Sequence, residues 1–206
     1  MRYLLISITL LLFYGCKVAT VKNFDTIALS SDTIHNPYFS NMDMDYVYKA
    51  TIEIYGNRIS GIFVVKKLGE KQHRIVCTSQ FGSTFFNIEF IDGGHIIHSI
   101  APELNKKMIL DILLQDLSLL IKEEDTPEEG YTNDHFYVLK NQVEKRSNFY
   151  FYRKSDTLLQ KIMHTSKVKE KFEIQFEAIS EAKVAEKVTI THQGIKLAIL
   201  LNRLKN

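Results

Sequence analysis

Alternating apolar and polar residues dominate the chain from Asp45 onward and predict β-strands. In the first such run, one face carries Tyr46, Tyr48, Ala50, Ile52 and Ile54, with more polar neighbours between them. This period of two is that of a strand with one buried face. Gly56 and Asn57 follow as a two-residue hairpin signal. Similar runs continue to residue 100, so we predict five strands, at 45–55, 58–68, 72–81, 86–90 and 95–100.

The pattern changes to that of a helix between residues 102 and 121. Pro102 suits the first turn of a helix, and Glu103 beside it would meet the positive end of the helix dipole. Further leucines widen the apolar face, which predicts a helix that is covered on more than one side. The positions at helical spacing that share one face are Ile109, Ile112, Leu113 and Leu117.

Residues 122–133 are interpreted as a solvated acidic loop, after which the period of two resumes. Six further strands are predicted, at 135–140, 147–153, 157–164, 168–178, 185–192 and 195–201. Short turns join most of them, and short turns connect antiparallel strands. We therefore predict one mainly β domain over residues 45–206, an incomplete, unclosed antiparallel barrel of about eleven strands whose concave face is covered by the helix. A closed, lipocalin-like barrel is the alternative.

The N-terminus predicts export and lipidation. Residues 1–15 have a short positive start and an apolar run of 11 residues, which is too short to span a bilayer and typical of a signal peptide. Gly15 and Cys16 end this segment like the lipobox of bacterial lipoproteins, in which the cysteine becomes the acylated first residue. We therefore expect acylation, for example by palmitate, at Cys16, and interpret residues 16–44 as a tether and entry segment. Because Lys17 is not the Asp of an inner-membrane retention signal, the expected location is the periplasmic side of the outer membrane.

Charge and motif content exclude several classes of function. The 26 Lys and Arg residues nearly balance the 24 Asp and Glu residues, so the strong positive field of a nucleic-acid-binding protein is missing. The sequence contains no nucleophile elbow, phosphate-binding glycine loop or paired metal-ligand motif. We therefore predict a protein that is not an enzyme and has neither a metal nor a cofactor. Cys77, in a strand, is interpreted as a buried, inert thiol.

Twisted strands with one apolar face curl around whatever covers that face. The helix covers part of it, and the rest is either filled by side chains or left as a cavity for an apolar ligand. On the second interpretation, the predicted ligand-binding residues are Tyr48, Ile52, Ile54, Ile62, Val64, Phe86, Ile88, Phe90, Ile109, Ile112, Leu113, Leu117, Phe172, Ile174 and Phe176. Ala50 is predicted to face the same way.

Three stretches following the lipobox resemble the lipoprotein-localisation superfamily of LolA and LolB: YKATIEIYGNRISGIFVVKK, HRIVCTSQFGSTFFNIEF and MILDILLQDLSLL. The resemblance covers residues 45–200 and depends on the order of the strands and the position of the helix. It implies an unclosed barrel that holds acyl chains on its concave side. It also implies a membrane-anchored lipoprotein that acts as a carrier or receptor in outer-membrane lipid or lipoprotein transport.

Two functions remain open from the sequence. In the first, the domain binds a lipid or the acyl chain of a lipoprotein in its concave face. In the second, it is a structural or assembly accessory lipoprotein with a filled core and no ligand. The partners expected are the membrane, through the N-terminal lipid, and an acyl chain. No protein partner is identified by the sequence.

Overall fold

The structure is a computed structural model that describes residues 19–29 and 31–204. Within these residues a short 3-10 helix, Ala19–Val21, precedes fifteen strands and one α-helix. The strands before the α-helix are β1 (Asp25–Ile27), β2 (Ile34–His35), β3 (Asp45–Ile54), β4 (Asn57–Gly69), β5 (Gln72–Ser79), β6 (Thr84–Ile91) and β7 (Gly94–Ile100). The helix α1 is Lys107–Ile121. The strands after it are β8 (Glu124–Asp125), β9 (Glu129–Thr132), β10 (Phe136–Val143), β11 (Arg146–Arg153), β12 (Leu159–Ser166), β13 (Lys169–Ile179), β14 (Ala185–His192) and β15 (Leu197–Arg203).

Thirteen of the strands form one antiparallel sheet in the order β1-β9-β10-β11-β12-β13-β14-β15-β3-β4-β5-β6-β7. In the part of the chain that the structure describes, the edge strands β1 and β7 do not pair with each other, so the sheet is open. The mainly β, antiparallel, unclosed architecture is confirmed. The predicted count of eleven strands is wrong, because β1 and β9 join the sheet as well. Both are too short for a period of two to show in the sequence.

The helix begins five residues later than predicted. Residues 101–105 form a turn, in which the Leu104 and Asn105 amides donate to the Ala101 carbonyl at 3.0 and 3.1 Å. Pro102 therefore belongs to this turn and not to the helix. The apolar face of α1 packs on the concave side of the sheet through Ile109, Leu113 and Leu117. Among the described residues, no helix is both long and apolar enough to cross a bilayer.

A second element, which we call the strap, residues 34–41, also lies against the concave side. Ile34, Tyr38 and Phe39 are 1% exposed and belong to the same core as α1. The Asn36 side chain donates to the carbonyl oxygens of Leu120 and Lys122, both at 3.1 Å. The strap is thereby joined to the C-terminal end of the helix.

The N-terminal segment lies on the opposite, convex face of the sheet. Thr20 donates to Glu170 Oε1 at 2.8 Å, and the Phe24 ring packs edge-on against Phe151 at 5.9 Å between centroids. A second apolar cluster forms beneath it, made of Val21, Tyr131, Val138, Phe149, Phe151 and Met163. Strands β10, β11 and β12 therefore bury apolar side chains on both faces of the sheet.

Candidate functional site

Because neighbouring strands are antiparallel, the connections between them alternate between the two ends of the strands. We call one of these the groove end, and its connections are 55–56, 80–83, 101–106, 144–145, 167–168 and 193–196. We call the opposite one the strap end, and its connections are 70–71, 92–93, 122–125, 133–135, 154–158 and 180–184. Helix α1 runs from the groove end to the strap end.

Most of the predicted ligand-binding positions face the concave side and are buried there. The buried residues are Tyr48, Ile52, Ile54, Phe86, Ile88, Phe90, Ile109, Leu113, Leu117, Phe172, Ile174 and Phe176, and Ala50 is buried with them. Ile112 is half-buried and packs against this core. Whether any of them contacts a ligand stays a prediction.

The orientation predicted for β4 is wrong. Ile62 and Val64 are half-buried on the convex side, whereas Phe63 and Val65 face the concave core and are 0% exposed. The register shows the reason for this orientation, because Phe63 lies opposite the buried Tyr48. The sequence IFVV is apolar at every position, so its pattern does not indicate which side chains face inward.

Much of the concave space is filled by the protein itself. At the strap end, the Tyr38 ring lies 4.3 Å from that of Phe176, and the Tyr38 hydroxyl donates to the Leu159 carbonyl at 2.6 Å. The Phe39 ring packs on Tyr46 and Tyr48 at 5.1 and 6.0 Å. Burial raises the pKa of Tyr38 and of Tyr48 well above the usual value, so both hydroxyls stay protonated donors. This end of the half-barrel is closed.

At the groove end a cavity of about 390 Å³ lies between the β3–β4 hairpin and the start of α1. Its walls are Ile54, Tyr55, Asn57, Ile59, Glu103, Leu104, Lys106 and Ile109. The floor is apolar, and the two charged residues of the lining, Glu103 and Lys106, are exposed at its mouth. The volume falls at the low end of the range of ligand pockets, about 300–1,000 Å³. We call this cavity the groove.

Only Ile54 and Ile109 of the predicted ligand-binding set line the groove. The other lining residues were not predicted for two reasons. Ile59 lies in β4, whose orientation was predicted wrongly. The rest lie at the β3–β4 turn or in residues 101–106, which carry no periodic pattern. The apolar hairpin residue Tyr55 beside Gly56 is the signal that could have indicated them.

A buried polar cluster joins the middle of α1 to the sheet. His192 Nε2 lies 2.7 Å from Asp116 Oδ2, and both side chains are 5% exposed or less. His164 lies 2.8 Å from Gln115 Nε2 through its Nε2 and 2.7 Å from Asn148 Oδ1 through its Nδ1. The Phe172 ring is stacked between the two imidazoles, at 4.9 and 5.0 Å.

The two sides of this cluster have opposite pKa shifts. Burial raises the pKa of Asp116, although the His192 imidazole beside it offsets part of this. Burial, with the positive charges of Arg146 and Lys171 nearby, lowers the pKa of His164 to about 4. His164 is therefore neutral at pH 7, which agrees with its contacts to one hydrogen-bond donor and one acceptor.

The two cysteines lie in different parts of the chain. Cys77 is 1% exposed, and burial raises the pKa of its thiol to about 12, so the predicted buried thiol is confirmed. Cys16, the predicted lipidation site, lies outside the described residues.

Comparison with known proteins identifies the class of fold. No protein-family model matches the chain, and no curated protein sequence matches it significantly. Among solved structures, a LolA superfamily protein from Nitrosomonas europaea is similar with a TM-score of 0.51 and 10% identity, over 81% of this chain and 87% of that one. The chain therefore has a LolA-like fold, as the sequence resemblance predicts.

Two other structures are more distantly similar. A DUF1329 family protein from Desulfovibrio piger has a TM-score of 0.42 and 10% identity, over 78% of this chain and 84% of that one. A proposed outer membrane lipoprotein-sorting protein domain from Vibrio parahaemolyticus has a TM-score of 0.43 and 7% identity, over 78% of this chain and 83% of that one. The fold assignment depends on the Nitrosomonas europaea structure alone, and at 10% identity that similarity extends to the fold only.

Proposed function

We propose that the protein is an envelope lipoprotein, anchored through Cys16, that binds an acyl chain in the groove and acts as a carrier or receptor for lipids or lipoproteins. This is a binding function rather than an enzymatic one. The observation that carries it is the apolar groove of about 390 Å³ between sheet and helix, at the one end that the strap does not close. The LolA-like fold and the lipobox support the proposed location on the periplasmic side of the outer membrane.

The size and position of the groove narrow the ligand. Most of the predicted ligand-binding residues on the concave face are covered by α1 and the strap. The ligand would therefore contact Ile54, Ile59 and Ile109 rather than the whole concave face. A volume at the low end of the pocket range suits one chain rather than several. The exposed Lys106 at the mouth would lie beside an anionic head group.

The filled strap half favours the second candidate, a structural accessory lipoprotein without a ligand. Tyr38, Phe39 and Phe176 are each 1% exposed, which is the packing of an ordinary core. The two functions make opposite predictions about the groove, so they can be separated by filling it.

The experiment is to replace Ile59 by Trp, which places a large ring in the groove. We expect Ile59→Trp to abolish the fluorescence enhancement of a polyene fatty acid added to the purified protein, because the acyl chain and the indole compete for one volume. Ile62→Trp is the matched control, since Ile62 is on the same strand but faces the convex side. If wild type and both variants enhance the probe equally, or if none does, the acyl-chain proposal is wrong and the structural function remains.

A further inference from the structure

We infer that the groove end is a membrane-docking surface, which holds the mouth of the groove against a lipid surface that carries anionic head groups. The inference rests on the proposed anchoring at Cys16 and adds to it the orientation of the domain and the chemistry of the surface. Three independent features of the groove end support it: its charge, its exposed apolar side chains and the position of the N-terminal segment.

The two ends of the sheet differ in charge. Counting each connection with one residue on either side, the groove end has seven Lys or Arg residues and two Glu residues. The strap end, counted in the same way, has five Lys or Arg residues and eight Asp or Glu residues. The chain as a whole carries only +2, so the positive charge is concentrated at one end. The groove-end cations are Lys106, Lys107, Lys145, Arg146, Lys167, Lys169 and Lys196, and all are exposed.

These cations are also largely uncompensated. Within residues 19–29 and 31–204, Lys107 is the one member of the group with a carboxylate within 4 Å, that of Asp111 at 3.1 Å. At the strap end, by contrast, Lys71, Lys122 and Arg153 each pair with an aspartate. Each Lys or Arg near an anionic membrane is attracted to it, so this group would orient the domain strongly and in a salt-sensitive way.

Large apolar side chains project from the same end. Phe81, Val168 and Val143 are the most exposed large hydrophobic residues among those described, at 98%, 63% and 62%. Val168 has φ of +63°, in the left-handed region that β-branched residues rarely occupy. Asn-Gly would suit that hairpin turn better than Lys-Val, so the turn retains an exposed apolar side chain at a conformational cost. Basic residues mixed with exposed apolar ones are typical of surfaces that lie at a bilayer interface.

The N-terminal segment reaches the domain at this end. Thr20 bonds to Glu170, the second residue of β13, whereas Phe24 lies near Phe136 and Phe151, towards the strap end. The chain therefore runs over the convex face away from the groove end. Cys16 is three residues before Ala19. Three residues span at most about 11 Å, so an acylated Cys16 would keep the groove end close to the bilayer.

The chain has no tryptophan, so a single Trp reports position without background. Phe81→Trp places the reporter at the groove end, and Ile91→Trp is the matched control at the strap end. Each protein is purified from membranes with the N-terminal modification that the cell has added. It is then reconstituted in phosphatidylcholine vesicles that contain brominated phosphatidylglycerol. We expect strong quenching of the Phe81→Trp protein and little quenching of the Ile91→Trp protein. Replacing Lys145, Lys167 and Lys169 by Gln in the Phe81→Trp protein should abolish most of the quenching.

The outcomes separate this inference from the proposed function. Equal quenching of the two reporters, or quenching of neither, would overturn the inference, because the domain would then have no fixed orientation. Quenching that persists after the three Lys→Gln changes, or that is equally strong in vesicles of brominated phosphatidylcholine without phosphatidylglycerol, would overturn the anionic partner. An acidic protein as the true partner would appear as quenching of neither reporter in vesicles. Lipidation is read separately from the mass of the purified protein, and acyl-chain binding from the fatty-acid probe, so either can fail while the orientation stands.

Discussion

The two ends of the half-barrel are built from similar strands but are finished in different ways. At the strap end, Asn36, Tyr38 and Tyr48 fill the concave space, and their side chains donate hydrogen bonds to backbone carbonyl oxygens. At the groove end, a cavity with charged residues at its mouth lies between the β3–β4 hairpin and the start of α1. Buried, fully bonded polar groups fix a structure, whereas unfilled apolar surface is available for binding. The difference predicts that stability is concentrated at the strap end, and the proposed function places binding at the groove end.

The largest expected effect on the free energy of unfolding comes from a pair of side-chain truncations, one at each end. Phe176→Ala removes a ring that packs on Tyr38 at the strap end and should lower the free energy of unfolding by about 3–5 kcal/mol. Ile109→Ala, in the wall of the groove, should cost less than about 2 kcal/mol, because that side chain already borders empty space. Urea unfolding of both variants beside wild type gives the values. Equal losses would show that the groove wall is ordinary core.

How far the sequence could predict this contrast depends on the length of each pattern. Long alternating strands such as β3 and β13 set the fold, and their inward residues Ile52, Ile174 and Phe176 are where the period of two places them. Where the pattern is apolar on both faces, as around Ile62 and Val64, it carries no orientation.

The strap and the groove depend instead on long-range contacts. The strap is identified by hydrogen bonds between residues more than 80 positions apart, such as Asn36 with Leu120. The groove is formed where a turn and a helix start leave space, and space has no sequence pattern. The positive charge of the groove end depends on the strand pairing, because that pairing decides at which end of the strands each short turn lies. The acidic loop likewise contains β8, which pairs with the strap.

The second prediction concerns pH and the cluster that holds the middle of α1 between the two ends. The pKa of His164 is lowered from 6.5 to about 4 in the folded state, so the unfolded chain binds this proton first as pH falls. The contribution of neutral His164 is therefore present above pH 6.5 and is lost as pH falls from 6.5 towards 4. The full loss is about 3 kcal/mol. The raised pKa of Asp116 acts in the opposite direction, because it favours the folded state at low pH.

Urea unfolding at pH 7 and at pH 4.5 measures this effect. Wild type should lose stability between the two, and His164→Gln, which has no titrating group at this position, should lose distinctly less. His192→Gln is the comparison, since it changes the partner of Asp116 and leaves His164 in place. If wild type and His164→Gln respond to pH in the same way, the buried imidazole does not control the acid sensitivity of the domain.

The smallest predicted effects come from the two ends of α1. Asn36→Ala should cost about 1–3 kcal/mol of folding stability, because it removes the donors that satisfy the carbonyls of Leu120 and Lys122 at the strap end.

At the groove end, the N-cap residue Lys106 makes no side-chain capping bond. Lys106→Asp should therefore stabilise the domain by about 0.5–1 kcal/mol, since an N-cap aspartate accepts a bond from the first-turn amides and meets the positive end of the helix dipole. Thermal unfolding measures both changes. A stabilised Lys106→Asp protein that also binds the fatty-acid probe more weakly would show that the groove end retains a poor cap because its positive charge serves binding. Unchanged probe binding would assign Lys106 no part in the groove.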